Sequence, residues 1–431
     1  MSDEPDFDVV VVGAGIAGTV AAYQLASAGL SVALLERGEV AGAKNLSGGV
    51  LYAAVMSQVF PGFLDAAPLE RRIDRNQVCF LNEDGWVSID YADRSLGTQG
   101  TAVSVLRGRL DAWLAAQCEA VGVQLLAGFR VDRLLWEGAR VVGVVAGDDE
   151  LHARVVIAAD GVNSFLARDA GLRPRQELGQ LAVGVKAVVA LEPGDLEARF
   201  GVGADGGTAM AIVGDCTQGI GGGGFLYTNR ASVSIGVVLR LDDLVAKEAS
   251  SVAVFEHFIA HPFVDRLLAG GEVIEYGCHL VNEGGQAMVG NLVHDGLVVV
   301  GDAAGFTLNT GLTVRGMDLA AGSAVAAAQA ITEAVAAGDT SAAGLARYPA
   351  LLRESFVGKD MRTYARAPRF LENPLLYREV GLLAADALHG VLALDGTPRK
   401  HLVPTALDAV RRSPMSWGQL ARLGLEGVRA L

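Results

Sequence analysis

A glycine motif near the start of the chain is the feature that most limits its fold. Gly13, Gly15 and Gly18 form a G-x-G-x-x-G sequence directly after the β-branched run of residues 8–12. That run predicts a buried parallel strand, and residues 16–28, which end before a glycine, predict a helix. A strand, a glycine turn and a helix in this order predict the start of a Rossmann-type βαβ unit.

Each part of this motif has a physical reason to bind a dinucleotide. Gly13 makes the tight turn, Gly15 lets the backbone approach a pyrophosphate, and Gly18 lets the helix pack closely on the strand. The start of the helix, at Ile16 and Ala17, then stabilises the phosphate charges. We therefore assign these five residues to a dinucleotide cofactor.

An acidic residue follows the next strand of the unit. The strand is predicted at 31–35 and ends at Glu36, which stands 23 residues after Gly13. A carboxylate there accepts hydrogen bonds from both ribose hydroxyls and repels a 2′-phosphate, which favours FAD or NAD over NADP. We assign Glu36 and its neighbour Arg37 to the adenosine end of the cofactor.

A second acidic turn, far along the chain, distinguishes FAD from NAD. Residues 298–300 predict a buried strand that ends in Gly301 and Asp302. Asp302 is placed to bond the ribityl hydroxyls of a flavin, although an Asp after a strand can also be only a helix cap. The segment after it contains Asn309, Gly311 and Leu312 and leads into a helix predicted at 312–337, whose N-terminus would stabilise a reduced flavin ring.

Two further motifs lie between these turns. Asp160 and Gly161 form another acidic turn after a strand, and Arg107 or Arg109 is a candidate to pair with the pyrophosphate. A solvated arginine on a helix face is the alternative for both. The surrounding pattern predicts a helix at 109–121. It then predicts a hairpin meander of three strands, at 130–136, 139–146 and 153–159.

The middle of the chain has a different pattern. Short alternating or apolar runs joined by glycines predict an antiparallel sheet, at 183–190, 208–213, 224–228 and 232–240. A helical pattern follows at 250–268. Strand 297–300 then returns to the first unit, so we predict an α/β fold in which a Rossmann-like domain is interrupted by an inserted antiparallel β-sheet domain, with helices after residue 312.

Composition excludes several classes of protein. The 431 residues carry a formal net charge of -14 and show no basic stripe with aromatics, so we predict no nucleic-acid partner. Cys79, Cys118, Cys216 and Cys278 are too widely spaced for a local metal or redox-dithiol site, and we predict no metal. Their low number and an acidic N-terminus predict a cytoplasmic protein without disulfides.

The motifs together resemble the FAD-binding group that includes aromatic hydroxylases and geranylgeranyl reductases. Three further stretches, 44–52, 223–227 and 301–320, resemble electron-transfer-flavoprotein:quinone oxidoreductases, and particularly the FixC-like branch. The resemblance spans residue 8 to about 330. It implies FAD as the cofactor, electrons arriving from an electron-transfer flavoprotein with α- and β-type subunits, and delivery to a membrane quinone.

The resemblance also implies roles for individual residues. It places Ser47, Gly48 and Gly49 near the isoalloxazine ring, and Gly223 and Gly224 at a quinone carbonyl, where a flexible hairpin loop is the alternative reading. We further assign Asn45, Arg107 and Val131 to the cofactor. The sequence identifies no catalytic residue.

The resemblance implies an arrangement of domains and a partner. We predict an FAD-binding domain in three segments, 1–72, 104–175 and 285–338. A quinone domain is predicted in two segments, 73–103 and 176–284, and a C-terminal helical region at 339–431. Full-length relatives carry a ferredoxin-like domain with clustered cysteines, but no cysteine follows Cys278. A separate small ferredoxin-like iron–sulfur subunit is therefore expected.

The C-terminal region has its own charge. Residues 345–431 hold 13 Lys+Arg against 8 Asp+Glu, in contrast to the acidic remainder. This region is expected to dock the small subunit or the inner face of the cell membrane, with a solvated helical face as the alternative. An isoprenoid-chain reductase and an FAD-binding docking scaffold are the alternative functions.

Overall fold

A computed structural model describes the chain except for residues 1–4, 46, 47, 174, 395, 397, 399 and 400. The described strands, in chain order, are β1 (Phe7–Val12), β2 (Val32–Glu36), β3 (Gly48–Tyr52), β4 (Leu69–Leu81), β5 (Trp86–Ala92), β6 (Ala102–Leu106), β7 (Gln124–Ala127), β8 (Arg133–Glu137), β9 (Arg140–Ala146), β10 (Asp149–Ala158), β11 (Leu181–Ala190), β12 (Gly206–Gly214), β13 (Gly222–Thr228), β14 (Ser232–Arg240), β15 (Glu272–Asn282), β16 (Val293–His294), β17 (Leu297–Val299), β18 (Leu308–Asn309) and β19 (Val314–Arg315).

The helices lie between these strands and make up most of the C-terminal region. They are α1 (Ile16–Ser27), α2 (Ala54–Val59), α3 (Phe63–Ala66), α4 (Arg94–Gln99), α5 (Arg107–Ala120), α6 (Phe165–Asp169), α7 (Pro193–Phe200), α8 (Leu241–Ala246), α9 (Ser251–Ala260), α10 (Pro262–Leu268), α11 (Met317–Ala336), α12 (Ala342–Leu345), α13 (Arg347–Glu354), α14 (Phe356–Thr363), α15 (Ala367–Leu371), α16 (Pro374–Tyr377), α17 (Glu379–Leu392), α18 (Leu402–Arg412) and α19 (Trp417–Ala430).

The first sheet contains the N-terminal strand and has a parallel centre. Its order is β16-β17-β10-β1-β2-β7, and β1, β2, β7, β10 and β17 run parallel. β1 contributes three fully buried valines, Val9, Val10 and Val11, as expected for the centre of a parallel sheet covered on both faces. β8 and β9 continue from β10 as an antiparallel meander, as predicted. The mixed α/β fold expected for an FAD-binding protein is thereby confirmed.

Helix α11 packs against α1 beneath this sheet. It is rich in alanine, and its buried residues include Ala321, Ala324 and Ala327. Within the part of the chain that the structure describes, it is the one helix long and apolar enough to cross a membrane, but 67% of its most apolar window is buried inside the structure. It therefore serves as a core helix.

The second sheet has nine strands in the order β15-β11-β14-β13-β12-β4-β6-β3, with β5 paired to β4. Helices α9 and α10 cover one face, where Phe258 and Val264 pack against Leu226 and Ile235. The sequence predicts a helical pattern over 250–268, and the structure divides it into two helices at His261. The reason is that Pro262 lacks the amide hydrogen that would continue α9.

Two strands join this sheet from segments predicted to belong to the FAD-binding domain. β3 pairs with β6, and β6 pairs with β4, so all three extend the second sheet. The domain boundaries stay a prediction, since the two sheets exchange chain segments at these points.

The start of α11 differs from the prediction of a helix from residue 312. Leu308 and Asn309 pair with Val314 and Arg315 as a small hairpin, and α11 begins at Met317. The physical reason is the turn itself: the Thr310 amide donates to the Thr313 carbonyl, which closes the hairpin before the helix begins. Asn309, Gly311 and Leu312 therefore lie in this hairpin and not in a helix.

Candidate functional site

Four strands of the first sheet end side by side. β2, β1, β10 and β17 are neighbours and parallel, so Glu36, Gly13, Asp160 and Gly301 meet at one edge. The order reverses at β1, since β2 lies on one side of it and β10 on the other. Ligands bind open α/β sheets at such a switch point, outside the carboxyl ends of the strands.

The glycines of the motif are fixed by close contacts. Gly13 has a φ of +106°, and a Cβ atom on it would lie 2.4 Å from the carbonyl oxygen of Ala159. A Cβ atom on Gly18 would lie 1.8 Å from the carbonyl oxygen of Gly13. Gly15 is different, because the only neighbour a Cβ would meet is the Arg107 guanidinium at 3.7 Å. Its backbone therefore faces open space beside a cation.

The start of α1 offers unpaired amide groups at this point. Within the described residues, the amides of Gly15, Ile16, Ala17 and Gly18 have no hydrogen-bond acceptor, whereas the Thr19 amide donates to the Gly15 carbonyl at 2.9 Å. Free amides and the positive end of a helix dipole together bind anions. This is the geometry that a pyrophosphate requires.

Glu36 is held in position by backbone amides. Its carboxylate accepts from Gly38 at 2.8 Å and from Ala14 at 3.1 Å, which ties the end of β2 to the glycine turn. The Phe129 amide donates to the Glu36 carbonyl and brings half-buried Val131 into the same region. Arg37 points into solvent.

Arg107 is positioned by a buried carboxylate. Its guanidinium donates two bonds of 2.9 Å to Asp111, which is fully buried, and Asn45 donates to the same carboxylate at 2.5 Å. Arg109 instead contacts Glu70 and is largely exposed. The structure thus brings Arg107, and not Arg109, to the glycine turn.

Asp160 closes the site at the end of β10. Its carboxylate accepts from the Ser164 hydroxyl at 2.8 Å, and burial raises the pKa of this group. A Cβ on Gly13 would approach the Asp160 amide to 3.4 Å, so the two turns lie in contact. Gly161 follows with a φ of +81°.

The turn after β17 joins the sheet edge to both long helices. Gly301 has a φ of +61°, its amide donates to the Ser323 hydroxyl of α11 at 2.9 Å, and a Cβ on it would lie 2.8 Å from the side chain of Ala17. Any side chain at residue 301 would therefore push α1 away from this turn.

Asp302 faces three cations. Burial raises the pKa of this half-buried carboxyl group, while the positive charges of Arg107, Arg173 and Lys186 oppose the rise. Its carboxylate accepts no hydrogen bond from the described residues, so it is not a helix cap there. It remains available to a ligand at the edge of the sheet.

The remaining predicted flavin contacts lie between the second sheet and α11. A Cβ on Gly48 would lie 2.4 Å from the Val105 carbonyl oxygen, and one on Gly49 would lie 3.1 Å from the Met317 side chain. Ser47 lies outside the described residues.

In the hairpin before α11, Asn309 holds its own turn together. Its side chain donates to Glu283 at 3.2 Å and accepts from the Gly311 amide at 2.8 Å. Burial raises the pKa of Glu283 to about 7. Leu312 is 69% exposed. Contact of Asn309, Gly311 or Leu312 with a cofactor stays a prediction.

Gly223 and Gly224 belong to the central strand β13 of the second sheet. Gly224 pairs with Ile212 of β12 and with Val237 of β14. A Cβ on Gly224 would lie 2.9 Å from the Phe258 ring, so this residue faces α9. Their role as quinone contacts stays a prediction, and the structure gives Gly224 a packing role of its own.

We expect Gly224→Ala to lower the free energy of unfolding by about 1–3 kcal/mol, because the methyl group overpacks Phe258. Urea unfolding measures the change. The matched control is Gly194→Ala, where the new Cβ meets nothing within 4 Å. In a Phe258→Leu background, Gly224→Ala should lower the free energy of unfolding by less. An equal decrease in both backgrounds would contradict the contact between residue 224 and Phe258.

Sequence reasoning missed two basic residues of the site. Arg173 donates to the Val162 carbonyl at 2.7 Å and to Asn282 at 2.9 Å, and Lys186 lies in the otherwise apolar strand β11. The signal for Lys186 was present, since a single lysine within an apolar strand demands a partner. Arg173 has no comparable signal, because its partners come from distant segments.

Comparisons with known proteins agree with this geometry. Residues 8–99 match the family described as "FAD dependent oxidoreductase". The chain is 43% identical to "Probable electron transfer flavoprotein-quinone oxidoreductase YdiS" of Escherichia coli (strain K12), covering 100% of each chain. It is 41% identical to "Protein FixC" of Salmonella typhi, covering 99% of this chain and 100% of that one.

The chain belongs to the FixC/YdiS family of electron transfer flavoprotein-quinone oxidoreductases. It is an FAD-dependent oxidoreductase. Among solved structures, a geranylgeranyl bacteriochlorophyll reductase-like protein from Thermoplasma acidophilum matches with a TM-score of 0.68 at 20% identity, covering 97% of this chain and 99% of that one. The flavin-dependent brominase Bmp2 matches with a TM-score of 0.64 at 18% identity, covering 94% and 99%. Both show the shared fold.

FAD fits the residues present at this FixC-family site. The unpaired amides of Gly15 to Gly18, together with Arg107, suit the pyrophosphate, and the fixed carboxylate of Glu36 suits the adenosine ribose. Asp302 stands free for the ribityl hydroxyls. These donors and acceptors lie in the order in which FAD presents its groups.

Proposed function

We propose that this chain accepts electrons from an electron-transfer flavoprotein and passes them to a membrane quinone. The observation that carries the proposal is the full-length similarity to YdiS and FixC, which covers 99–100% of each chain. The name of YdiS states both an electron-transfer flavoprotein and a quinone. Every segment of the present fold thus has a counterpart in these relatives.

FAD supplies the redox chemistry when bound, since the cofactor carries two electrons and the protein sets access and electrostatics. The chain's own residues hold it. The α1 amides and Arg107 bind phosphate charge, Glu36 and Asp302 bind hydroxyls, and the second sheet covers the cleft. We propose the FAD-binding and quinone-binding domains with the boundaries predicted from the sequence.

A small ferredoxin-like subunit is part of the proposal. Cys79, Cys118 and Cys216 are buried, and Cys278 lies on the edge strand β15. No cysteine follows it in the sequence, so the C-terminal region supplies no thiolate for a cluster. An iron–sulfur centre in this electron path would therefore need ligands from outside residues 279–431, and we propose that the small subunit supplies them.

The C-terminal helices supply a candidate contact with the inner face of the cell membrane. α18 and α19 expose apolar side chains next to arginines, namely Leu402, Val403, Trp417, Leu425 and Val428 beside Arg411, Arg412, Arg422 and Arg429. Amphipathic helices of this kind bind anionic lipid surfaces. A cytoplasmic protein attached at that face fits the delivery of electrons to a membrane quinone.

The test follows the absorbance of FAD in the purified holoprotein under anaerobic conditions. We expect chemically reduced electron-transfer flavoprotein to bleach the flavin, and a short-chain quinone to restore its colour. Repeating the second step with long-chain quinone in anionic vesicles, with and without the small subunit, tests membrane delivery. Reduction only by NAD(P)H would contradict the proposal and favour the isoprenoid reductase, and reduction by no donor would favour a docking scaffold.

A further inference from the structure

The second sheet presents a face to the FAD site, and Lys186 stands on it. In β11, Val185 and Ala187 point into the core beneath α9, so Lys186 points the other way. Its neighbours across the sheet are Gly236 on β14 and Gly277 on β15. Two glycines leave the lysine side chain room to extend over the sheet.

An aromatic pair lies beside the lysine. Phe225 and Tyr227 stack with ring centroids 5.0 Å apart, and the Phe225 ring lies over Gly236, where a Cβ would approach it to 2.6 Å. The ammonium of Lys186 stands 5.9 Å from the centre of the Phe225 ring. Among the described residues, no hydrogen bond or ion pair is formed by this ammonium.

The charged groups that face Lys186 come from the FAD edge of the first sheet. The positive charge of Arg107 opposes protonation of Lys186 and the negative charge of Asp302 favours it. On the sheet itself, His279 shares the face of Lys186 because it pairs with Gly184, and its ring bonds the Lys44 carbonyl at 2.9 Å. Burial, with the nearby Arg107, lowers the pKa of Lys186 to about 8.

A half-buried ammonium that forms no hydrogen bond and no ion pair is unfavourable unless an anion approaches it. In the proposed site, the α1 amides and Arg107 bind the phosphate groups of FAD, so these phosphates do not need Lys186. Asp302 is placed for the ribityl chain, so the part of FAD beyond Asp302 is its ring system. Lys186 interacts electrostatically with both Arg107 and Asp302, so it stands on the side of the second sheet that faces this part of the site.

We propose that Lys186 stabilises the negative charge that bound FAD gains on reduction, and so raises the reduction potential of the cofactor. In this proposal the first sheet holds the cofactor, and the second sheet supplies the positive charge of Lys186. The inference needs FAD, and it does not depend on which protein donates the electrons or which quinone accepts them.

The test compares Lys186→Met with the wild-type holoprotein by anaerobic spectroelectrochemistry. We expect the variant to lose about tenfold in its preference for reduced over oxidised FAD, which is about 30 mV for a two-electron couple. Affinity of the apoprotein for oxidised FAD should change less. The matched control is Lys359→Met, which removes the same charge from an exposed position on α14.

A pH series gives a second, independent measurement. With a pKa of about 8, Lys186 is mostly protonated below pH 8 and mostly neutral above it. The negative charge that FAD gains on reduction would raise this pKa, so that reduction takes up a proton in the range above pH 8. The potential of the wild type should therefore fall more steeply with pH above about 8 than below. Lys186→Arg stays charged throughout and should lose this change of slope.

The outcomes are decisive in either direction. An unchanged potential in Lys186→Met, or an equal fall in Lys359→Met, would overturn the proposal. If Lys186→Met retains no FAD, the wild type and Lys186→Arg decide it, because identical slopes in those two proteins would also overturn it. If the potential falls in Lys186→Met as expected but the wild type exchanges no electrons with an electron-transfer flavoprotein or a quinone, the proposed function fails and the role of Lys186 stands.

Discussion

Replacing Glu36 with arginine is expected to give a protein that retains almost no FAD. The change removes an acceptor of two ribose hydrogen bonds and puts a cation in its place. Each bond to a charged group is worth about 1.5–3 kcal/mol, so the affinity should fall by about 10²- to 10⁴-fold. The flavin absorbance per mole of purified protein measures the loss.

Two controls separate this effect from misfolding. Glu39→Arg makes the same change of charge at an exposed residue three positions later and should retain FAD. Glu36→Gln keeps the shape and one acceptor and should give an intermediate affinity. Circular dichroism checks the fold, because Glu36 also accepts from the Ala14 and Gly38 amides. Full flavin content in Glu36→Arg would refute our placement of the adenosine.

Asp111→Ala is expected to have the largest effect on stability. The carboxylate is fully buried and accepts two bonds from Arg107 and one from Asn45. Removing one partner of a buried ion pair costs about 3–5 kcal/mol, because the other charge stays in the protein without compensation. Chemical unfolding of the apoprotein measures this change, and FAD binding should weaken as Arg107 loses its position.

An exposed ion pair provides the comparison. Asp65 lies 3.6 Å from Arg72, and its side chain is 88% exposed. Asp65→Ala should change the free energy of unfolding by less than about 1 kcal/mol. Equal effects of the two substitutions would mean that Asp111 does not hold Arg107 as described.

The N-terminal βαβ unit could be predicted closely because its signals are local. The predicted strand at 8–12 and helix at 16–28 match β1 and α1 within one residue at each end. A buried strand, a glycine turn and an alanine-rich helix each depend on nearby residues only. The acidic turns at Asp160 and Asp302 could each be predicted for the same reason, because each follows a local run of apolar strand residues.

The second sheet could be predicted only in part. β4 contains Arg71, which is almost fully buried and donates to the carbonyls of Gly203, Gly206 and Asn229. These partners lie more than a hundred residues away, so an arginine that looks solvated in the sequence is a core residue in the fold. Local hydrophobic pattern cannot show this kind of burial.

The start of α11 shows the same limit. Arg315 donates to Asp318 and to Asp360 of α14, at 2.6 Å in each case. The pair with Asp318 is local, but the pair with Asp360 forms only when α14 packs against the hairpin. For Lys186 the sequence did carry a signal, a lone lysine in an apolar strand, but Arg107 and Asp302, the charged groups that act on it, come from distant segments.

The order of the site residues along the chain limits when FAD can bind during synthesis. The FAD contacts predicted above come from separate parts of the chain: Gly13 and Glu36 from the first part, Arg107 and Asp160 from the middle, and Asp302 far beyond them. At about 5–20 residues per second, the ribosome adds Asp302 roughly 15–60 s after Gly13. We therefore expect the complete set of contacts, and with it stable flavin insertion, to form late in synthesis.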